Sequence, residues 1–199
     1  MIIKTSRIVW LAWLLGAASV PANASEFTIE QVMQALAKIR VIDSPFVETK
    51  QSMFLTDELE LAGTIRYRAP DWLEKTITEP FEETTLIDGD LVTIRKPSDE
   101  RRVRRYSLDA SPVIERIVDS VRATLAGDLP TLESHYRANL WGEESAWELH
   151  LIPRDPKLQE IIEQIRIRGA AGRIVQIETY EADGDESVLR LTYGDATKS

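Results

Sequence analysis

Few residues in this chain are suited to nucleophilic or acid–base chemistry. There is no cysteine, and the two histidines are His135 and His150, so thiolate catalysis, disulfides and Cys-based zinc sites are excluded. Ser107, Ser111 and Ser134 could stand near a histidine, but the sequence contains no Gly-x-Ser-x-Gly elbow and no phosphate-binding glycine loop. We therefore predict that the protein is not an enzyme and uses no metal and no cofactor.

Two acidic tripeptides resemble fragments of cation-binding loops. Asp88-Gly89-Asp90 and Asp183-Gly184-Asp185 each place two carboxylates around a glycine. Both lack the regular ligand spacing and the distal glutamate of a calcium loop. Each lies between two strand-like segments, so the pattern predicts hairpin turns.

One basic cluster stands in an otherwise acidic chain. The 24 lysines and arginines and the 33 aspartates and glutamates give a net charge of −9, which opposes binding to nucleic acid or anionic membranes. Arg101, Arg102, Arg104 and Arg105 fall within five residues. They form either a solvated strand or loop facing nearby acids, or a docking patch for an acidic partner or a lipid headgroup. The second interpretation depends on the planar guanidinium group of arginine, which can donate two hydrogen bonds to one phosphate or carboxylate.

Residues 1–24 have the three parts of a cleaved signal peptide. Lys4 and Arg7 form the basic start, an apolar run covers 8–18, and Ala22-Asn23-Ala24 is a small-x-small cleavage site. We expect the mature chain to begin near Ser25 and to form a single domain over residues 25–199 in the periplasm. Because residues 1–24 hold two of the 24 bases and none of the 33 acids, the mature net charge would be −11.

Two substantial helices are predicted from apolar residues at helical spacing. The first covers Thr28–Arg40, and Pro45 is expected to close the connection that follows it. The second covers Pro112–Ala126, with proline in the first helical position and Gly127 as its stop. A short helical turn is expected near Pro130–Ser134.

Most of the remaining chain alternates apolar and polar residues, which is the pattern of β-strands. Trp147, Leu149 and Leu151, for example, alternate with Glu148 and His150. The segments are separated by connections too short for helical crossovers, so they favour antiparallel neighbours. We count about ten or eleven strands.

These elements predict an α+β fold with one antiparallel sheet covered by helices. A sheet of this length must curl or close. Its apolar face is then either a tightly packed core or a pocket for a hydrophobic ligand, and the sequence leaves both interpretations open.

Five short segments, in order and with similar spacing, resemble the LolA-type outer-membrane lipoprotein carriers. They are Phe46-Val-Glu-Thr-Lys-Gln51, Gly63-Thr-Ile-Arg-Tyr-Arg-Ala-Pro70, Ile87-Asp-Gly89, Leu151-Ile-Pro153 and Gly172-Arg-Ile-Val-Gln-Ile177. The resemblance covers about residues 27 to 193. It implies a LolA/LolB-like fold, an incomplete antiparallel β-barrel closed by helices, whose cavity holds the acyl chains of a lipoprotein.

The chain departs from the family pattern at two positions. Where the family has an arginine before the proline that helps keep the lid shut, this sequence has Ala69, with Arg68 one step earlier. A one-residue shift on a strand reverses the face, so Arg68 does not simply inherit that role. Lys75 replaces a frequent aromatic, although Trp72 is nearby. The sequence therefore resembles a divergent member, and its cargo is either lipoprotein or another envelope lipid.

We predict a lipid-binding surface from the apolar phase of the strands and of the second helix. Its candidate residues are Ile65, Tyr67, Leu73, Ile77, Ile114, Ile117, Val118, Val121, Trp147, Leu149 and Leu151. The alternative for each is an ordinary place in the core.

The expected function is a monomeric periplasmic carrier that shelters acyl chains for transfer towards the outer membrane. The resemblance implies an inner-membrane donor complex and an outer-membrane acceptor as partners. One rival is a periplasmic adaptor or accessory subunit of an envelope lipid or glycolipid exporter. A second rival, an enzyme acting on an acylated substrate, lacks nucleophile motifs.

Overall fold

The structure, a computed structural model, describes residues 27–53, 57–97, 103–110 and 112–193. The predicted signal peptide and the expected mature start at Ser25 lie outside the described residues. So do Ser111 and two of the four clustered arginines, Arg101 and Arg102. Within the described ranges, no helix is both long enough and apolar enough to cross a membrane.

The described residues form strands and four helices. The strands are β1 (Val41–Gln51), β2 (Leu59–Arg68), β3 (Trp72–Glu79), β4 (Glu83–Asp88), β5 (Leu91–Arg95), β6 (Arg104–Ser107), β7 (Tyr136–Glu143), β8 (Ala146–Pro153), β9 (Ile162–Ala170), β10 (Arg173–Glu181) and β11 (Glu186–Leu191). The helices are α1 (Ile29–Leu36), α2 (Pro112–Ala126), α3 (Leu129–His135) and α4 (Pro156–Gln159). A 3₁₀ turn at Leu108–Ala110 precedes α2.

The strands described form one antiparallel sheet in the order β6-β5-β4-β3-β2-β1-β11-β10-β9-β8-β7. Strands β6 and β7 are its two edges and do not pair with each other, so the sheet is curved but not closed. The prediction of an α+β fold with one long antiparallel sheet is confirmed. We call the face that carries the alternating buried side chains the inner face.

Irregular pairing helps the sheet to bend. The register between β2 and β3 shifts at Gly63, and the register between β9 and β10 shifts near each end of β10. Bulges of this kind bend a strand and increase its twist. Glycine is required at position 63, because a Cβ there would lie 1.9 Å from the carbonyl oxygen of Thr76.

The connection between the two edge strands covers the inner face. The chain leaves β6 at one edge, passes through the 3₁₀ turn, α2 and α3, and enters β7 at the opposite edge. Because β6 and β7 lie at opposite margins of a curved sheet, this connection must cross the hollow. The path places the apolar side of α2 above the inner face.

Buried apolar side chains form three clusters. The largest joins α1, α2 and α3 to one end of the inner face and includes Leu36, Leu132 and Leu149, which are fully buried. A second cluster contains Phe46, Leu61, Ile77 and Leu189. A third joins Val92, Leu108 and Val118, so it packs α2 and the 3₁₀ turn before it against β5.

The first helix is shorter than the sequence predicts. Helix α1 ends at Leu36, and β1 has begun by Val41. The expectation that Pro45 closes a connection is wrong, because Pro45 lies inside β1. Thr192 donates its backbone N–H to the Pro45 carbonyl at 3.0 Å. The Ser44 hydroxyl donates to the Thr192 carbonyl at 3.0 Å, so it replaces the N–H that proline lacks.

Other local predictions are confirmed by the structure. Helix α2 has the predicted bounds, and the Gly127 that follows it has a φ of 68°, a left-handed conformation that suits glycine. The helical turn expected near Pro130–Ser134 is α3. Asp88-Gly89-Asp90 joins β4 to β5, and Asp183-Gly184-Asp185 lies between β10 and β11.

Candidate functional site

An apolar cavity of about 250 Å³ lies between the inner face of the sheet and α2. Helix α2 contributes Ile117, Ser120, Val121, Thr124 and Leu125. The sheet contributes Ile42, Ile65, Leu73, Leu151, Ile162, Ile165, Ile167, Ile174, Ile177, Thr179 and Leu191. Most lining residues are isoleucine or leucine, and none is charged, so the cavity suits hydrocarbon rather than a polar solute.

The hydroxyl groups contributed by α2 are satisfied by the helix itself. Ser120 donates to the Arg116 carbonyl at 2.5 Å, and Thr124 donates to the Ser120 carbonyl at 2.8 Å. Back-bonding of this kind uses up the hydroxyl proton within the helix. These side chains therefore offer the cavity no free donor that would have to be desolvated by an apolar ligand.

Five of the predicted lipid-binding residues line this cavity. Ile65 and Leu73 come from neighbouring strands, Leu151 comes from β8 on the other side of the sheet, and Ile117 and Val121 come from α2. Residues far apart in the sequence are thus brought around one space. Val121 is 37% exposed although its side chain lines the cavity, so part of the rim is open.

The other six predicted residues do not line the cavity. Tyr67, Trp147 and Leu149 belong to the largest core cluster. Trp147 packs so closely on Gly169 that a Cβ there would lie 2.0 Å from the indole. The remaining three are Ile77 in the second cluster, Val118 in the third and Ile114 on the exposed side of α2.

Sequence reasoning missed all of the lining contributed by β9 and β10. Ile165 and Ile167 follow the period-two pattern, so their shared face was predictable from the sequence. In β10 the bulge near Val175 breaks the alternation, so Ile174 and Ile177 both line the cavity although they are three positions apart and would lie on opposite faces of a regular strand. The observed pairing of β10 with β9 is needed to locate this bulge and so to assign both residues to the inner face.

An ion pair with a buried carboxylate lies on the inner face beside the cavity. The Glu48 side chain is 6% exposed, and its cross-strand neighbours are Leu61 and Leu189. Lys75 compensates this carboxylate, with its Nζ 2.5 Å from Glu48 Oε2, and Lys50 lies 3.8 Å away. Lys75 pairs across the strands with Ile65, a lining residue, so the charges mark a polar end of the hollow.

Two arginines fasten α2 to opposite wings of the sheet, by which we mean the half that contains β3–β6 and the half that contains β7–β10. Arg116 pairs with Asp155 at the start of α4, beyond β8. Arg122 donates to the carbonyl of Gly89 in the β4–β5 turn, and its guanidinium lies 3.9 Å from Asp90. The cover is thus held by polar contacts at both sides of the cavity that it closes.

Arg68 and Ala69, at the first departure from the resembled pattern, take no part in these fastenings. Arg68 is exposed, and its guanidinium lies 5.0 Å from the centre of the Trp72 ring. Ala69 packs against the largest core cluster. The two arginines that fasten α2 to the sheet, Arg116 and Arg122, both belong to α2 itself.

The outer face carries a separate polar network around His150. This ring contacts Glu148, lies 3.1 Å from Gln164 Nε2 and packs against the Trp141 ring at a tilt of 48°. Hydrogen bonds from Arg168 and then His150 lower the pKa of the Glu148 carboxyl. His135 ends α3, on a different element. The described residues bring no serine into hydrogen-bond contact with either histidine.

Comparisons with known proteins agree with this architecture. A family described as "Outer membrane lipoprotein carrier protein LolA-like" matches residues 21–199. An outer-membrane lipoprotein carrier protein of Hahella chejuensis is 18% identical over 178 residues, which cover 89% of this chain and 81% of the relative.

Two solved structures are also similar. A LolA superfamily protein from Nitrosomonas europaea has a TM-score of 0.42 at 14% identity, over 83% of this chain and 92% of the other. The MucA/MucB complex of Pseudomonas aeruginosa gives a TM-score of 0.45 at 14% identity, over 82% of this chain and 55% of that chain.

An open antiparallel barrel with an apolar cavity beneath a helical cover defines a binding protein of the carrier class. The chain belongs to the LolA-like family of outer membrane lipoprotein carrier proteins. That family consists of periplasmic carriers, which bind cargo and do not catalyse a reaction.

Proposed function

We propose that this protein is a periplasmic carrier that shelters acyl chains of a lipoprotein or another envelope lipid during transfer towards the outer membrane. The observation that carries the proposal is the cavity of about 250 Å³, lined by isoleucine and leucine from both wings of the sheet and by α2. On this proposal the protein works as a monomer between an inner-membrane donor and an outer-membrane acceptor.

The free energy of hydrocarbon burial explains why such a cavity is useful. Shielding one CH₂ group from water is worth about 0.8 kcal/mol, so a 16-carbon chain gains roughly 12 kcal/mol. Spontaneous release of that chain into water is correspondingly slow. A lipid that must cross an aqueous compartment therefore needs a portable apolar site.

The size of the cavity requires the cover to move during loading. A dry apolar cavity of roughly 150 Å³ already accepts benzene, so about 250 Å³ holds a segment of an acyl chain but not a complete long one. Because the sheet is held together by continuous backbone pairing, α2 is the element that can yield. Its fastenings, Arg116–Asp155 and Arg122–Gly89, then set how readily the cavity enlarges.

The substitution Arg116→Gln is expected to speed acyl exchange with little loss of stability. The pair that it removes is partly exposed, with side chains 33% and 26% accessible, and such pairs are worth at most about 1 kcal/mol. If that energy is lost only in the closed state, entry and exit of a fluorescent 16-carbon fatty acid accelerate roughly fivefold. Stopped-flow fluorescence measures both rates.

The matched control is Arg66→Gln. Arg66 forms a similar exposed pair with Glu74, at 3.2 Å, but contacts no part of α2. It should leave both rates unchanged. Equal acceleration in the two variants, or none in Arg116→Gln, would show that this ion pair does not restrain the cover.

Mass spectrometry of the protein purified from its own envelope tests the proposed function. We expect acylated molecules to be retained in an amount close to one per chain. Co-purification with a membrane complex and no retained lipid would favour an adaptor, and turnover of an acyl ester by the purified protein would favour an enzyme. Either result rejects the carrier.

A further inference from the structure

The strand β6 ends the sheet on one side. It pairs with β5, and no other described strand lies along its second side. An edge strand of this kind presents unpaired backbone groups, which another extended chain can use as a template.

The hydrogen-bond register shows which groups face outward. Leu108 donates its N–H to the Asp90 carbonyl at 3.0 Å, and this contact continues the register in which Tyr106 opposes Val92. Bonded and non-bonded pairs alternate in an antiparallel ladder. The backbone N–H and C=O groups of Arg105 and Ser107 therefore point away from β5, towards the open edge.

The same strand carries positive charge that pairs with no carboxylate in the part of the chain that the structure describes. Arg104 and Arg105 are exposed, and neither forms a salt bridge with a carboxylate of the described residues, whereas Arg66, Arg116 and Arg168 all do. Both side chains are thus accessible to carboxylates of another protein, although the chain as a whole has a net charge of −9.

We infer that β6 accepts an extended acidic segment of a partner protein as an additional strand. Backbone bonds to Arg105 and Ser107 set the register, and carboxylates at adjacent positions of the added strand reach Arg104 on one face and Arg105 on the other. Because β6 has only four residues, the pairing is short and reversible.

The location links docking to the cover, in a step that rests on the proposed function. Immediately after β6, Leu108 is 2% exposed and packs against Val92 and Val118 of α2. A strand added at β6 thus binds next to the point where the chain enters the cover.

An acidic peptide of ten residues tests this docking. In its sequence, two adjacent glutamates alternate with a threonine-valine pair. Binding to the mature chain is measured by fluorescence anisotropy. Arg104→Glu with Arg105→Glu should weaken it at least tenfold, whereas Arg137→Glu on the other edge strand should not. Ser107→Pro removes an outward N–H and no bond to β5, so it should also weaken binding at least tenfold, with Ser107→Ala as its control.

A second arm avoids any dependence on folding of the variants. Two versions of the peptide are N-methylated at alternate residues, one at the odd positions and one at the even positions. Only the version whose methyl groups replace the N–H groups facing β6 should lose binding. If both methylated peptides bind equally, or if only the charge-reversal variant loses affinity, the arginines act as a charged patch without backbone pairing. Either result overturns strand addition. Failure of the peptide to bind, or binding only to phosphatidylglycerol vesicles, overturns it as well. None of these results bears on lipid retention, so the carrier proposal stands or falls separately.

Discussion

Replacing Val121 with tryptophan is expected to reduce uptake of a fluorescent 16-carbon fatty acid at least tenfold while the protein remains folded. Val121 lines the cavity from α2 yet is 37% exposed, so a larger side chain can enter the cavity from the open rim. The indole would occupy space that the acyl chain needs. Each excluded CH₂ group forfeits about 0.8 kcal/mol of binding free energy. Probe titration measures the affinity, and thermal unfolding measures the stability.

The control lies one helical turn away. Val118 is 5% exposed and packs against Val92 and Leu108 rather than lining the main cavity. Val118→Ala should cost about 1–2 kcal/mol of stability through lost packing and leave probe affinity within about twofold. If Val121→Trp lowers stability as much as affinity, Val121 is a core residue and the cavity is not the binding site.

The substitution Lys75→Met is expected to destabilise the fold by about 3 kcal/mol, because it leaves the buried carboxylate of Glu48 without its nearest cation. Lys50, at 3.8 Å, compensates only in part. Urea unfolding of the single and double variants measures the effect. Changing both residues, Glu48→Gln with Lys75→Met, should recover most of the loss, since no buried charge then remains.

Lys96→Met is a matched control for this cycle. Lys96 also pairs with a glutamate, Glu83 at 2.8 Å. It lies over the ring of Phe81, as Lys75 lies over the ring of Phe46. Its side chain is 54% exposed, so the loss should stay below about 1 kcal/mol. Equal losses for Lys75→Met and Lys96→Met would mean that Glu48 is well solvated and that the hollow has no buried polar end.

Local signals in the sequence predict much of this fold. Proline in the first position and glycine after the last define α2 over Pro112–Ala126, and two Asp-Gly-Asp tripeptides mark the turns after β4 and β10. The location of Pro45 was not predictable in this way. Its tolerance inside β1 depends on a hydroxyl contact between Ser44 and Thr192, residues that only the folded sheet brings together.

The candidate site was predictable only in part, for a related reason. Periodicity identifies which residues share a face, and it correctly groups Ile65 with Tyr67. It does not determine how closely α2 approaches each of them. Ile65 faces the cavity while Tyr67, two residues later on the same face, is packed in the core. That difference arises from the position of the crossing helix, which the sequence does not encode locally.

The crossing of α2 between the two margins of the sheet has a mechanical consequence. A flap attached at one end swings away freely, but this segment is joined by covalent bonds to β6 at one end and, through α3, to β7 at the other. Cargo that lifts it must therefore either bow the helix or draw the two margins apart. In the second case the distance between β6 and β7 increases with the amount of cargo in the barrel. Because both strands lie at the edges of the sheet, another protein can detect that change.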